Sequence, residues 1–442
     1  MSKLKFFAVI MVAMVLLGVS SDALTLRESV NIAIKNHPSV LAAQKKVDAA
    51  DAKVSQAVGA LLPTLKLDGT YGKAYTQPST VQFTTRTATM DVTQTLVFGT
   101  DAAQGNRSLT ASLSQPVFVA ALFPGYGIAR KNADASRADL RKAVLDAAYN
   151  VAQAYYNVIK AQKMIDVAKE SRQMADSHFK QINAMLAAGT ASKADLLRTE
   201  VQVENYDLGL IKTHNALELA RAYFNNALGV NLEEKVSLIE SELTGTVAHV
   251  PTYKELLDIA FQYRPDWQAF LLGKGMSEDN LTLAKTAYLP TVMLSANAGN
   301  RINEYPSYKS DVNSWTVTGA ASWTMFDGFG IQNRVREAAA NLASQEQNEA
   351  QVRNNIALEV RDAYLNLTNA LETIDLAKKT VESAQESYKV SSQRFLAGAG
   401  TNLEVLDAQV SFTQAKVNYL QALFDVEIAR AKVDKVVGKE VI

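Results

Sequence analysis

The chain of 442 residues contains no cysteine. No disulfide can therefore contribute to the fold, which must depend on packing alone, and neither lipid attachment at a cysteine nor a cysteine nucleophile is possible. The four histidines are scattered without the spacing of metal ligands. Because neither a G-x-S-x-G motif nor a phosphate-binding loop is present, the sequence predicts no catalytic residue, no metal and no cofactor.

The chain also lacks an excess of charge and a long apolar run. Its 45 basic residues balance 45 acidic ones, and no cluster of Lys and Arg alternates with aromatic residues, so we expect no binding to nucleic acid. Beyond residue 23 no segment has about 18 consecutive uncharged apolar residues, so the sequence predicts no membrane helix. A position in a membrane would therefore require a closed β-barrel, because lipid offers no partner to unpaired backbone groups.

Residues 1–23 have the pattern of a secretory signal peptide. Lys3 and Lys5 supply a positive start, Phe6–Val19 form an apolar core, and small residues stand before the predicted cleavage site. The apolar core is short for a membrane-spanning anchor, which is the alternative interpretation. We therefore expect export, with a mature chain that begins at Leu24.

The mature sequence occurs twice in diverged form. Residues 25–72 match residues 252–299 at a constant offset of 227, and a second set of matches follows at an offset of 209. The first set comprises Thr25/Thr252, Glu28/Glu255, Ala33/Ala260, Pro38/Pro265, Pro63/Pro290, Thr64/Thr291 and Gly72/Gly299. The second includes Ala154/Ala363, Tyr155/Tyr364, Ile165/Ile374, Gly189/Gly398 and Gly229/Gly438. Such a period indicates two structural repeats.

Each repeat is predicted to contain two helices, a strand pair, a very long helix and a final helix. A Thr-x-x-Glu capping box begins each repeat, and a proline ends each first helix. The first repeat would span residues 24–230 with a β-hairpin at 63–118, and the second would span 251–442 with a β-hairpin at 290–326. Residues 231–250 would form an equatorial linker between them.

The predicted long helices share a heptad pattern. Glycine and proline are absent from about 129 to 188 and from about 331 to 397. In both segments a seam recurs at spacings of four and three, with alanine at one position of nearly every heptad, as in helices packed closely side by side. The seams are Ala147, Val151, Ala154, Val158, Ala161, Ile165, Ala168, Arg172, Ala175 and Phe179, and Ile356, Val360, Ala363, Leu367, Ala370, Ile374, Ala377, Val381, Ala384 and Tyr388. Each helix would be roughly 90–100 Å long, and an ordinary coiled coil is the alternative.

Segments with strand periodicity lie between the helices. Apolar residues alternate with polar ones in four stretches near 65–71, 108–114, 291–298 and 315–325, as in a barrel wall with lipid outside and water inside. Trp315 and Trp323 would lie on the outer face about 26 Å apart and mark two aromatic girdles. A soluble β-sandwich is the alternative. The segment from Tyr75 to Asn106 could be an exposed loop or could hold an extra strand.

Four strands per chain leave two unpaired edges. Lipid does not tolerate such edges, and the smallest outer-membrane barrels have eight strands. The chain must therefore oligomerise if the strands cross a membrane. Two copies would supply eight strands and three copies twelve, and the count alone does not decide between them.

The duplicated order resembles the TolC family of outer-membrane efflux proteins. The resemblance covers the mature chain and is carried by "LLPTLKLDGTYG", "YLPTVMLSANAG", "LSQPVF", the "AY" long helices and "RFLAGAGTNLEVLDAQ". It implies an α+β membrane protein: a homotrimer whose twelve-stranded transmembrane β-barrel continues into a coiled-coil, twelve-helix periplasmic tunnel. It also implies outer-membrane lipid around the barrel, a periplasmic adaptor protein, and an inner-membrane efflux pump or ABC exporter. The chain itself would be a passive exit duct for efflux or type I secretion.

The resemblance also identifies the helix turns as the site of function. Glu404 and Asp407 match acidic residues that ring the periplasmic aperture, and Asp195 follows the turn of the first repeat. Capping boxes explain Asp195 and Glu404 equally well, whereas Asp407 lies one turn further in. The turns expected to face the adaptor comprise Gly189, Thr190, Ala191 and Ser192, and Gly398, Ala399, Gly400 and Thr401. The Tyr and Arg that latch the aperture in the family's best-known member are replaced here by Phe395 and Gly400, so those polar bonds cannot form.

Three other classes of protein fit less well. A structural or adhesive trimeric coiled-coil barrel protein would carry its barrel segment at one chain end, not within each repeat. An open porin would need many more strands per chain and no long helices. An enzyme would require a cluster of catalytic side chains, which this sequence does not suggest.

Overall fold

The computed structural model describes residues 23–75, 77–98, 102–239, 251–305 and 308–440. Residues 1–22 of the predicted signal peptide and residues 240–250 of the predicted equatorial linker lie outside the described residues. The chain divides into two compact units. The helical unit comprises the described residues of Met1–Gln44, Asp139–Asp266 and Arg353–Ile442. The sheet unit comprises those of Lys45–Ala138 and Trp267–Val352.

The two short helices that open each repeat form as predicted. In the first repeat α1 spans Leu26–Asn36 and α2 spans Pro38–Gly59. Both opening caps are reciprocal capping boxes, built by Thr25 with Glu28 and by Thr252 with Glu255. Pro38 begins α2, and Pro265 begins the equivalent helix of the second repeat. Proline fits the first position of a helix but not its interior.

Each repeat then contains one very long helix and one shorter one. These are α3 (Leu122–Ala187), α4 (Lys193–Leu228), α7 (Gly330–Leu396) and α8 (Asn402–Val437), with α5 (Tyr253–Tyr263) and α6 (Pro265–Thr286) opening the second repeat. The α3 helix begins seven residues earlier than the glycine-free stretch predicts. Its first turn accommodates Pro124, whose missing amide has no helical partner there. Among the described residues, no helix is apolar enough over a sufficient length to cross a membrane.

The predicted seams are buried over most of their length. In α7 the first six seam positions, from Ile356 to Ile374, are at most 8% exposed. In α3 the seam is buried at Ala147, Val151, Ala154, Val158 and Ile165, and again at Ala175. The prediction is wrong for Arg172 and Phe179, which are only half-buried, because Ser171 and His178 take the buried positions instead.

The main core of the helical unit lies where α1, α3, α4 and α8 meet. Tyr155, Phe224 and Phe424 are its largest fully buried side chains. The beginning of the predicted linker packs here: the carboxamide of Asn225 donates to the carbonyl oxygens of Leu232 (2.9 Å) and Glu234 (2.8 Å). The linker thus starts as a segment fixed by partly buried hydrogen bonds.

The last turns of α4 and α8 end in equivalent glycines. Gly229 (φ 73°) and Gly438 (φ 79°) adopt the left-handed conformation at the helix ends. A Cβ on Gly229 would lie 2.9 Å from Cα of His37, and one on Gly438 would lie 2.8 Å from the carbonyl carbon of Tyr263. Each glycine therefore allows a helix end to abut the break between the two opening helices of its own repeat.

A four-stranded antiparallel sheet joins the two repeats in the sheet unit. It consists of β1 (Thr64–Ala74), β4 (Gln104–Val119), β5 (Thr291–Glu304) and β6 (Lys309–Ser322), in the order β1-β4-β5-β6. The segment predicted as loop or extra strand contains two strands, β2 (Ser79–Arg86) and β3 (Asp91–Phe98), which pair only with each other as a ribbon. The sheet therefore keeps four strands, with β1 and β6 at its edges.

The registers place the apolar positions of all four strands on one face. Leu65 pairs with Leu113, Leu113 with Ala296, and Ala296 with Val317. The opposite face carries the polar row Lys66, Ser112, Asn297 and Thr316. The alternation predicted strand by strand is thus confirmed as a property of the whole sheet.

The two predicted girdle tryptophans occupy different settings. Trp315 lies within β6 on the apolar face and is 79% exposed. The sequence predicts that Trp323 belongs to the same strand, but β6 ends at Ser322 and Trp323 follows it directly. There its indole Nε1 donates to the carbonyl oxygen of Tyr288 at 3.0 Å, which fixes the ring beside the end of α6.

Candidate functional site

The two helix turns predicted to carry function have the same backbone geometry. Gly189 (φ 76°) and Gly398 (φ 72°) are both left-handed. The amide of Thr190 donates to the carbonyl of Met185 at 2.8 Å, and that of Ala399 donates to the carbonyl of Arg394 at 2.8 Å. These are the closing bonds of equivalent helix ends. In the first turn Ala191 and Ser192 lead into α4, and in the second Gly400 and Thr401 lead into α8.

Asp195 is part of a complete capping box at the start of α4. Its amide donates to Oγ of Ser192 at 3.1 Å, and its carboxylate accepts from the hydroxyl and the amide of Ser192. The hydrogen bond from the Ser192 hydroxyl lowers the pKa of Asp195 from its usual value. The capping interpretation of Asp195 is therefore confirmed, and the aperture role stays a prediction.

Glu404 does not complete the second box. The amide of Glu404 donates to Oγ1 of Thr401 at 3.2 Å, but no reciprocal bond forms. The Glu404 carboxylate instead lies 3.7 Å from a guanidinium nitrogen of Arg394, a pair in which both side chains are about half exposed. Arg394 also donates to the carbonyl of Ala399 at 3.1 Å. The Glu404 side chain therefore does not cap α8 but lies at the surface beside an arginine.

Asp407 lies one turn beyond Glu404 and is exposed, whereas the intervening Val405 and Leu406 are buried. Asp407 borders a cavity of about 420 Å³ between α4 and α8. This cavity is open to solvent, and we call it the tip groove; the exposed apolar side chains that line it are Leu197, Val201, Leu403 and Val410. The surface at the two turns thus combines carboxylates with uncovered apolar area.

A residue that the sequence analysis did not single out connects the two turns. Asn402, the first residue of α8, is 4% exposed. Its Nδ2 lies 3.2 Å from the backbone oxygen of Asp195, 3.4 Å from its Oδ1 and 3.4 Å from Oγ1 of Thr199. Its Oδ1 accepts a hydrogen bond from Nε2 of His178 at 2.7 Å. Asn402 therefore links the start of α8 to the start of α4 and to the end of α3.

His178 anchors this arrangement from α3. Burial lowers the pKa of His178, against the opposing effect of its hydrogen bonds, so a neutral ring that donates from Nε2 fits the geometry. The ring of Phe395 meets the His178 ring edge to face, with centroids 5.6 Å apart. Phe395, which the family resemblance predicts to match a latch position, thus packs against a side chain of its own chain.

Further polar residues continue this contact along α3 and α8. Gln409 is fully buried and donates from Nε2 to the backbone oxygen of Ser171 at 3.3 Å. The hydroxyls of Ser171 and Thr413 are 3.0 Å apart. We call Ser171, His178, Asn402, Gln409 and Thr413 the polar seam. Its members Asn402 and Gln409, and likewise Ser171 and His178, are seven residues apart, a spacing that a search for apolar residues alone does not detect.

A second group of charges lies at the other end of α8. Arg264, whose side chain is 9% exposed, pairs with Asp266 at 2.6 Å and with Glu359 at 2.7 Å. It also donates to the carbonyl of Val436 at 3.2 Å. Lys435 pairs nearby with Asp146 at 2.8 Å. Across the part of the chain that the structure describes, no group of three or more His, Asp or Glu side chains could hold a metal ion.

Comparisons with known proteins agree with this architecture. The model of the family described as outer membrane efflux protein matches residues 30–230 and 256–439. The proteases secretion protein PrtF of Dickeya chrysanthemi is 23% identical over 424 residues, 93% of this chain and 89% of PrtF. The outer membrane protein TolC of Vibrio cholerae is 21% identical over 430 residues, 96% of this chain and 93% of TolC. The solved structure of CusC superposes with a TM-score of 0.80 at 18% identity, covering 94% of this chain and 92% of CusC.

Proposed function

Because this chain belongs to the outer membrane efflux protein family and has the fold of its channel proteins, we propose that it is a passive exit duct through the outer membrane. The observation that carries this proposal is the four-stranded sheet with one continuous apolar face and one polar face. A wall of that kind separates lipid from water. No catalytic role accompanies it.

Three copies complete the channel. The outer edges of β1 and β6 lack a partner strand within the described residues, and edges cannot remain unpaired in lipid. Trp315 and Trp323 are the girdle residues at the two lipid interfaces. Native mass spectrometry of the detergent-purified protein is expected to give the mass of three mature chains. A mass of two or four chains would contradict the trimer.

The turns are the contact for a periplasmic adaptor protein. The tip groove exposes apolar side chains, which association would cover, and the small residues of both turns, from Gly189 to Ser192 and from Gly398 to Thr401, permit close approach. The adaptor connects the duct to an inner-membrane pump. Relatives named for efflux and relatives named for protease secretion, such as PrtF, support a partner that is either an efflux pump or an ABC exporter.

Asp195, Glu404 and Asp407 surround the periplasmic aperture. In a trimer each of these positions repeats three times, so Glu404 and Asp407 give two successive rings of carboxylates. Rings of like charge attract cations and repel anions. The Arg394 guanidinium beside Glu404 offsets part of one ring, which leaves Asp407 as the stronger contributor.

The test is single-channel conductance in planar bilayers. With Glu404→Ala plus Asp407→Ala, we expect a larger conductance and a cation-to-anion permeability ratio that falls about tenfold, the lower end of the effect of a focused field. Glu382→Ala plus Glu386→Ala is the matched control, because it removes the same charge from exposed positions of α7. Equal behaviour of the two double variants would contradict the aperture assignment.

A further inference from the structure

We propose that Asn402 and Gln409 are positioning residues that set the register of α8 against α3, and thereby hold the aperture carboxylates in place. This inference rests on the proposed function, because it gives the aperture a mechanical basis within each chain. It does not depend on contacts between copies. All the side chains that carry it belong to the helical unit.

The geometry at Asn402 leaves little freedom to the start of α8. One carboxamide satisfies both sides of a buried contact: Nδ2 faces three acceptors on α4, and Oδ1 accepts from His178 on α3. The orientation of the amide is fixed by these partners, since reversing it would place the oxygen against Asp195 and Thr199. Two residues later stands Glu404, so a shift of Asn402 moves the carboxylate with it.

The geometry at Gln409 explains why one register is preferred. A buried polar side chain disfavours every alignment in which it loses its hydrogen bond, even though it adds less stability than an apolar residue. Gln409 has one bond, to the Ser171 carbonyl, and its Oε1 has no partner among the described residues. The polar seam therefore stabilises the helix contact less than the apolar seam between Val151 and Ile165 does, but it favours one alignment of α8 against α3.

Replacing Gln409 tests the alignment of α8 and the stability of the fold separately. We expect Gln409→Leu to leave the protein as stable as the wild type or more stable, because an apolar side chain suits the buried site. In the same bilayer recordings we expect one conductance level for the wild type and several for Gln409→Leu, since a leucine fits more than one register. Gln414→Leu is the matched control: the same exchange on the same helix at an exposed position.

Two variants of Asn402 test the link between the turns. Asn402→Ala removes both bonds, whereas Asn402→Asp keeps the acceptor for His178 and loses the donor to α4. Both are expected to raise conductance and broaden its distribution, and Asn418→Ala, at an exposed site on α8, is expected to match the wild type. A wild-type response from Asn402→Asp would show that the contact with α4 does not position the aperture.

The outcomes distinguish this inference from the function beneath it. If the wild-type protein forms no channel, the proposed function fails. If the wild type conducts while Gln409→Leu, Asn402→Ala and Asn402→Asp all give its single conductance level, the function stands and the positioning role is overturned. Thermal unfolding of each variant, followed by circular dichroism, shows whether a change of conductance occurs without loss of stability.

Discussion

Gly438→Ala is expected to lower the free energy of unfolding by about 2–4 kcal/mol. Part of this loss, about 1–2 kcal/mol, comes from placing an L side chain in the left-handed conformation. The remainder comes from contact, because the new Cβ would lie 2.8 Å from the backbone of Tyr263 and Arg264. Backbone atoms cannot rotate away as the end of a flexible side chain can, so the end of α8 must shift. Denaturant unfolding in detergent, followed by far-ultraviolet circular dichroism, measures the change.

The chain supplies its own control for this experiment. Gly398 has nearly the same φ, 72° against 79° at Gly438, but a Cβ there would meet no atom within 4 Å. Gly398→Ala should therefore show the conformational cost alone. Gly229→Ala, in the first repeat, should resemble Gly438→Ala, since its Cβ would lie 2.9 Å from Cα of His37. Equal losses at all three glycines would mean that the contacts are relieved without cost.

Gly229 and Gly438 also show how much the sequence repeat can predict. Their match at a constant offset identifies them as equivalent, and the residue type predicts a helix end. The same holds for the capping boxes of Thr25 and Thr252, whose partners lie three residues away. In each case the signal is local. What each glycine abuts is a contact between distant segments, which the spacing of residues does not contain.

The candidate site illustrates the same limit. The capping role of Asp195 is predicted from four consecutive residues and is correct. The equivalent box at Thr401 is only half formed, because Arg394 from the preceding helix attracts the Glu404 carboxylate. His178 and Asn402 could not be paired from the sequence, since they are 224 residues apart. Apolar periodicity predicts the α3 seam as far as Ile165 and again at Ala175, but it fails at Arg172 and Phe179, where the neighbouring polar residues are the buried ones.

The sheet was more predictable than the turns. Alternation identifies the apolar face of each strand separately, and the registers bring these faces together. The ribbon of β2 and β3 was less clear, because short strands without a buried face give little periodicity to detect. The strands pair from Ser79 with Phe98 to Arg86 with Asp91, and the turn between them is closed by a hydrogen bond from the amide of Thr87 to the carbonyl of Met90 at 3.1 Å.

Arg264→Met is expected to destabilise the helical unit by about 2–4 kcal/mol. Removing one member of a buried ion pair typically costs about 3–5 kcal/mol, and the exposure of Asp266 (34%) and Glu359 (57%) reduces that figure. Methionine supplies an aliphatic chain of similar length but removes the guanidinium nitrogen that both carboxylates had shared. It also leaves the carbonyl of Val436, in the last turn of α8, without its donor.

Two comparisons show whether charge is the cause of this loss. Arg221→Met removes an arginine from the exposed pair with Glu218 and should change stability by less than about 0.5 kcal/mol. The loss at Arg264 should also shrink in about 1 M salt, where the Debye length falls to about 3 Å, because screening weakens both the attraction of the partly exposed carboxylates to arginine in the wild type and their mutual repulsion in the variant. A loss that is the same at low and at high salt would instead assign the effect to packing and to the Val436 carbonyl, which Arg264 no longer bonds.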